Sequence, residues 1–296
     1  MKIGVVGGSG LYAMAGLVGA SPLTVETPFG APSDAYIHGT IQEHEVYFLP
    51  RHGVGHRLMP SEINHRANVH GFKQLGVEVL ISVSAVGSLR EDFRPRDVVL
   101  PDQYVDRTKQ SGSHTFFGNG LVAHVGFGDP TCSGLRAQLA QAIGRVLAGQ
   151  GQGEQAPRLH VGGTYVCMEG PAFSTRAESN MYRTLGCELI GMTSLPEAKL
   201  CREAELCYQA IAMITDYDCW HAEAAAVTVE MVVGHMQANA QLAQAILCEA
   251  IGTGLQIDPD CSCRHALSAA IATDLATVDT ATKAKLELLI GRYCKG

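Results

Sequence analysis

Residues 4–13 read GVVGGSGLYA, and the elements that come after this glycine-rich turn decide the fold. Gly8, Gly10 and Ala13 satisfy the loose G-x-G-x-x-[GA] spacing of dinucleotide turns, and Glu26 stands about 20 residues on, where a ribose-binding acid is expected. Such a site needs a helix after its glycines and then a parallel strand ending in the acid. Here LYAMAGLVGASP is short and broken by glycine. AYIHGTIQEHEVYFLP then reads as two alternating strands around a polar turn. A loop that grips free phosphate fits this layout better than one that holds a dinucleotide.

The surrounding pattern supports an α/β chain. KIGVV is apolar and β-branched, and VEVLISVSAV is the continuous apolar run of a strand covered on both faces. Strand and helix signals alternate through most of the sequence, which predicts a largely parallel central sheet, of mixed type once the hairpin is included, flanked by helices in one domain spanning 1–296. Thr175 with Glu178, and Ser194 with Glu197, have capping-box spacing at two helix starts. From Thr228 to about Gly252 a long amphipathic helix opens a helical C-terminal region, with Val229, Val232, Met236 and Leu242 facing inward. Residues 149–158, GQGQGEQAPR, read as a surface loop.

Composition excludes several function classes. The 296 residues are 46% hydrophobic and 17% charged, with a net charge of -7, which argues against an extended nucleic-acid surface and confines any anion site to a local patch. No window reaches about 18 uncharged apolar residues and no secretory leader is visible, so the expectation is a cytoplasmic protein with no membrane partner. Ten cysteines are scattered along the chain and are expected mostly as reduced core thiols. Cys261 and Cys263, in DCSC, have no His or Cys pair at finger spacing nearby, so no metal site is expected, and a redox or disulfide role stays open.

Four segments end strands in small, hydroxyl or charged residues: 7–10, 50–53, 82–89 and 191–197. An oxyanion needs fixed positive charge together with short hydroxyl and backbone N–H donors. Ser9, Arg51, His52, Ser84 and Thr193 supply that set. His52 and His56 share an H-x-x-x-H spacing, but two glycines between them disfavour a helix and the general-base Glu of zinc proteases is missing. In AIAMITDYDCW an apolar strand runs into Asp216 and Asp218, which the two-residue period puts on one side with Tyr217 opposite. Two adjacent carboxylates repel, raising the pKa of one, as suits a general acid. Paired acids of this kind match a purine whose N7 takes a proton while its exocyclic amine donates to a carboxylate. Phe173 is either a base-stacking aromatic or core, and Met192 either covers a sugar face or fills space.

Taken together and in order, GVVGGSGLY, RHG…MPSEINHRAN, SAVGSLRED, VCMEGPAFSTRAES, GMTSLPEAKLCREAELCY and TDYDCW resemble the methylthioadenosine phosphorylase branch of the trimeric purine nucleoside phosphorylases, from Lys2 to about residue 240. The resemblance implies a nucleoside phosphorylase fold and phosphorolysis of 5'-methylthioadenosine, with inorganic phosphate as co-substrate and no cofactor or metal. It implies phosphate binding by Ser9, Arg51, His52, Ser84, Ala85 and Thr193, and Met192 along the sugar. Phe173 and Ser174 would line the base pocket, and Val229 the methylthio wall. Asp216, Asp218 and His52 would act in catalysis. His124 would complete a neighbouring subunit's pocket, implying a homotrimer. Gly191 departs from the Asn of adenine-specific relatives and matches a methylthioinosine-cleaving subgroup. Some thermophilic relatives disulfide-bond a C-x-C like that at Cys261 and Cys263. The competing readings are a 6-oxopurine or methylthioinosine phosphorylase, a water-using nucleosidase, and an NAD-binding oxidoreductase or nucleotide sensor.

Overall fold

The computed structural model describes residues 1–8, 11, 16–109, 111–151, 153, 155–221 and 229–294, the side chains of 111 and 229–233 excepted. Among them, eleven strands build one mixed sheet. The glycine-rich turn follows β1 (Lys2–Gly7), and among the described residues the next strand is β2 (Val18–Leu23). The expected hairpin comes next as β3 (Tyr36–Ile41) and β4 (His44–Pro50), paired antiparallel. Glu26 is exposed between β2 and β3 and ends no parallel strand. The dinucleotide arrangement is therefore absent from the described chain.

The central strand is β5 (Val79–Ser88), whose burial reflects helices on both faces. Its neighbours explain the site. Along one edge β11 (Cys207–Tyr217) runs parallel over its whole length. On the other edge β1 pairs with residues 79–82 only, and β10 (Leu189–Gly191) returns antiparallel against 87–88. Residues 83–86 thus border a split where β1 and β10 diverge, the kind of crevice in which α/β sheets bind ligands. The sheet continues outward through β9 (Thr164–Met168) to β7 (Gln103–Arg107), and from β11 through β6 (Val98–Leu100) to β8 (Leu159–Val161).

Helices α1 (His65–Gln74), α4 (Ser194–Glu203) and α6 (Thr280–Ile290) cover one face, sharing a core with Leu80, Phe72 and Tyr208. On the other face α2 (Ser133–Ala148) and α5 (Val229–Gly252) pack through Leu139, Ile143, Ile246 and Leu247 onto Val5 and Ile81. Helix α3 (Arg176–Thr184) starts with the expected capping box, in which Thr175 accepts from the Glu178 N–H. The second box does not form, because Ser194 and Glu197 are drawn into buried contacts with Tyr208 and Arg51. On α5, Leu242 is buried as expected but Met236 is 46% exposed, because the inward stripe runs through Asn239, Ala243, Ile246 and Ala250 instead. The side chains of Val229 and Val232 lie outside the described residues.

Candidate active site

The split beside β5 gathers most of the expected residues. Ala85 is exposed although its strand neighbours Ser84 and Val86 are buried, so it forms an open floor. Arg51 donates to the Val83 carbonyl from the β1 side and the Leu89 N–H bonds Glu188 on the β10 side. Since backbone polar groups alternate along a strand, the N–H and C=O of Ala85 also face the split. Ser84 Oγ is buried without a hydrogen-bond partner, which would leave the hydroxyl's desolvation cost uncompensated. Thr193 lies two residues beyond the end of β10. Thr193 is the buried N-cap of α4, with no side-chain capping bond. Ser9 lies outside the described residues.

Arg51, expected to bind phosphate, is 1% exposed and its Nε lies 2.5 Å from Glu197. Its other bonds go to the carbonyls of Val6 and Val83 and to Ser82 Oγ. Burial works against its charge, but the carboxylate of Glu197 more than offsets this and holds the pKa above its ordinary value. Ser82 and Tyr208 also donate to Glu197, and Ser194 links the hydroxyls of Tyr208 and Tyr104. The arginine is thus a neutralised tie joining β1, β4, β5 and α4. The signal for it was a second charged residue in the same family of strand-end segments, Glu197, which helix-start spacing disguised as a capping residue.

His52 is shaped by this neighbour. Its Nδ1 donates to the Leu58 carbonyl at 2.9 Å, which leaves Nε2 as a lone-pair acceptor. Burial first, then the Arg51 charge, lower its pKa to about 4, so the ring is neutral at ordinary pH. It stacks on His56 with centroids 4.2 Å apart, and neither histidine is presented as part of a helical metal pair. Nearby, Met192 lines a shallow cleft with His65, His114 and Glu169. Burial holds His65 and His114 neutral as well, and sequence reasoning singled out neither.

At the far end of β5, Asp216 and Asp218 converge on Gly87. A Cβ placed on Gly87 would lie 3.4 Å from Asp216 Oδ1 and 3.6 Å from Asp218 Cβ, so both acids flank the same glycine. The register of β11 shifts between Ile214 and Asp216, leaving Thr215 as an extra residue that re-aims the acids. Helix α5 clamps this bulge: His235 donates to the Thr215 carbonyl and Asn239 to that of Ile214, at 3.0 and 2.8 Å. Burial, reinforced by Asp218, raises the Asp216 pKa, against a 2.6 Å hydrogen bond from Thr215. Asp218 Oδ2 is buried without a partner. Tyr217 turns away, stacked on His221 and donating to the Glu91 carbonyl.

The remaining expected residues are distributed around this core. Ser174 is buried, and its carbonyl accepts from Cys219, one residue beyond Asp218. Phe173 projects outward at 83% exposure, so it is not core. His124 is exposed on a separate loop tied to the Ala270 carbonyl. Gly191 has a packing cause: a Cβ there would come within 1.9 Å of the Tyr165 hydroxyl, which occupies that space without a hydrogen-bond partner.

The model of the phosphorylase superfamily matches residues 2–252. The chain is 54% identical over 292 residues to the S-methyl-5'-thioadenosine phosphorylase of Koribacter versatilis, covering 99% of this chain and 96% of that protein. It is 51% identical to that of Geobacter sulfurreducens, with 98% of both covered. A crystal structure of a methylthioadenosine phosphorylase from an Antarctic soil metagenomic library superposes with a TM-score of 0.91 at 43% identity, covering 97% of this chain and 98% of the other. The Schistosoma mansoni methylthioadenosine phosphorylase bound to tubercidin gives 0.78 at 32% identity, with 98% of both covered. A strand divided between hydroxyl donors and paired acids, on a fold shared nearly end to end with these enzymes, makes the chain a member of the phosphorylase superfamily, in its methylthioadenosine phosphorylase family.

Proposed function

We propose that this protein catalyses phosphate-dependent cleavage of the glycosidic bond of S-methyl-5'-thioadenosine, giving adenine and 5-methylthioribose 1-phosphate. The observation that carries this reading is β5 itself, whose two open stations are chemically opposite. Ser84 and Ala85 offer donors to an anion, and Gly87 is flanked by an acid pair. Gly87 lies three positions beyond Ser84 on the strand, about 10 Å away, room for a sugar with a group at each end.

In the proposed reaction phosphate sits beneath C1', held by Ser84, Thr193, the Ala85 N–H and Ser9. His52 Nε2 accepts a hydrogen bond from the O–H that phosphate carries. Asp216, whose pKa burial raises above its ordinary value, donates to N7 as the base departs, and Asp218 accepts from the 6-amino group. Arg51 positions the strand ends. Holding both reactants converts a bimolecular encounter into an oriented attack on an oxocarbenium-like centre. Phe173 and Ser174 line the base, Met192 the sugar and Val229 the methylthio group, with His124 supplied to a neighbouring subunit of a homotrimer. No cofactor is required and the ligands are small molecules, as suits a cytoplasmic enzyme of purine and methionine salvage.

A second reading, cleavage of methylthioinosine or a 6-oxopurine nucleoside, rests on Gly191. Tyr165 accounts for that glycine by packing alone, and ionised carboxylate would repel a 6-oxygen. The test is product analysis with purified protein and a panel of purine nucleosides, with and without phosphate. Adenine and a sugar phosphate, formed only when phosphate is present, are expected. Full cleavage without phosphate overturns the mechanism, and preference for inosine-type nucleosides overturns the substrate.

A further inference from the structure

Away from the active site, on the α2 and α5 face, four cysteines that are far apart in sequence meet in space. Cys132 is the N-cap of α2, Cys207 begins β11, and Cys261 and Cys263 bracket a short turn in the segment after α5. Their four Sγ atoms all lie within 4.8 Å of one another. Cys261 Sγ is 3.7 Å from both Cys132 Sγ and Cys207 Sγ. All four are free thiols in the structure.

We propose that Cys132, Cys207, Cys261 and Cys263 form a structural zinc site, a tetrathiolate that staples the C-terminal segment to the central sheet. The geometry carries it. Zinc–thiolate bonds of about 2.3 Å at a tetrahedral centre put neighbouring sulfurs about 3.8 Å apart, which matches the two separations from Cys261. Sequence spacing missed the site because C-x-C supplies only half of the ligands, and the other two come from a helix start and a strand start.

The surroundings suit a thiolate cluster. Cys132, Cys207 and Cys263 are 3%, 0% and 4% exposed, while Cys261 is half-buried and gives an ion its way in. Unpaired N–H groups at the start of α2 favour a thiolate at Cys132. Binding replaces four S–H protons with one divalent ion and releases those protons to solvent, leaving a formal charge of two minus on the cluster with no change in oxidation state. A set of four thiolates selects zinc over harder cations. An ion bound by the folded chain and not by the unfolded one stabilises the fold by its binding free energy.

Protein purified without chelator or reductant decides the matter by elemental analysis combined with thiol titration. One zinc per chain is expected, retained through chelator dialysis and released as an organomercurial titrates about four thiols. Denaturing, non-reducing titration of a separate, untreated sample in the presence of chelator should find all ten thiols of the sequence. Cobalt reconstitution should give the charge-transfer and visible bands of a tetrahedral tetrathiolate. Cys261→Ser should lower zinc content and Tm while leaving kcat at low temperature close to that of the parent. Metal-free protein with ten free thiols, metal-free protein with fewer, or iron in place of zinc each overturns the proposal, whether or not the variant folds.

Discussion

Asp216 shows how a single side chain takes its chemistry from its surroundings. Its pKa is raised by burial and then by Asp218, so the protonated form persists to higher pH than for an ordinary Asp. A general acid of this kind loses activity as pH rises through its pKa, and kcat against pH should show that limb. Asp216→Asn should lower turnover of the adenine nucleoside by about 100-fold or more, abolish the limb and shift relative preference toward inosine-type substrates. Unchanged preference would remove Asp216 from the base site. Glu203 makes a parallel case for stability. Burial, only partly offset by bonds from the Phe116 N–H and Thr115, raises its pKa to about 7. A carboxyl whose folded pKa is raised gives stability that is complete below about 4.5 and is lost as pH rises through 7, roughly 2–4 kcal/mol in all. Tm should fall across that window, and Glu203→Gln should flatten the dependence. Asp216 was legible because the strand period alone aligns it with Asp218. Glu203 was not, since burial of a helix-end carboxylate depends on a loop some 87 residues away.

Between elements, the Arg51–Glu197 pair is the principal polar tie. Both side chains are almost fully buried, so removing one partner leaves an uncompensated charge at a cost of about 3–5 kcal/mol. Glu197→Ala should therefore lower the free energy of unfolding by that much in a denaturant titration, and a change under about 1 kcal/mol would show that the pair is not a structural tie. The same contact shows where sequence reading stops. Strands β1, β4, β5 and β11 and helices α3 and α5 were legible because apolar runs and caps are local. That α4 begins without its capping box was not, because Arg51, Ser82 and Tyr208 compete for Glu197 across the fold. The four-cysteine cluster escaped for the same reason, being assembled from three separate elements.

At the level of the whole molecule, Phe173 and His124 are both exposed in one isolated chain. If a neighbouring subunit supplies His124, the mass in solution should be three times that of the chain, and His124→Ala should raise the nucleoside KM about tenfold with little change in that of phosphate. A monomer with full activity would contradict the homotrimer. The fixed tautomer of His52 has a further consequence. With Nδ1–H committed to the Leu58 carbonyl, the ring offers an incoming tetrahedral anion a lone pair and no hydrogen. Species that still carry an O–H at neutral pH satisfy it, whereas fully deprotonated ones meet a repulsive contact. Arsenate should consequently replace the natural co-substrate and drive irreversible turnover, and sulfate should compete weakly even in large excess. Discrimination among ions of equal size and shape would then rest on one imidazole oriented by a main-chain oxygen six residues further along the chain.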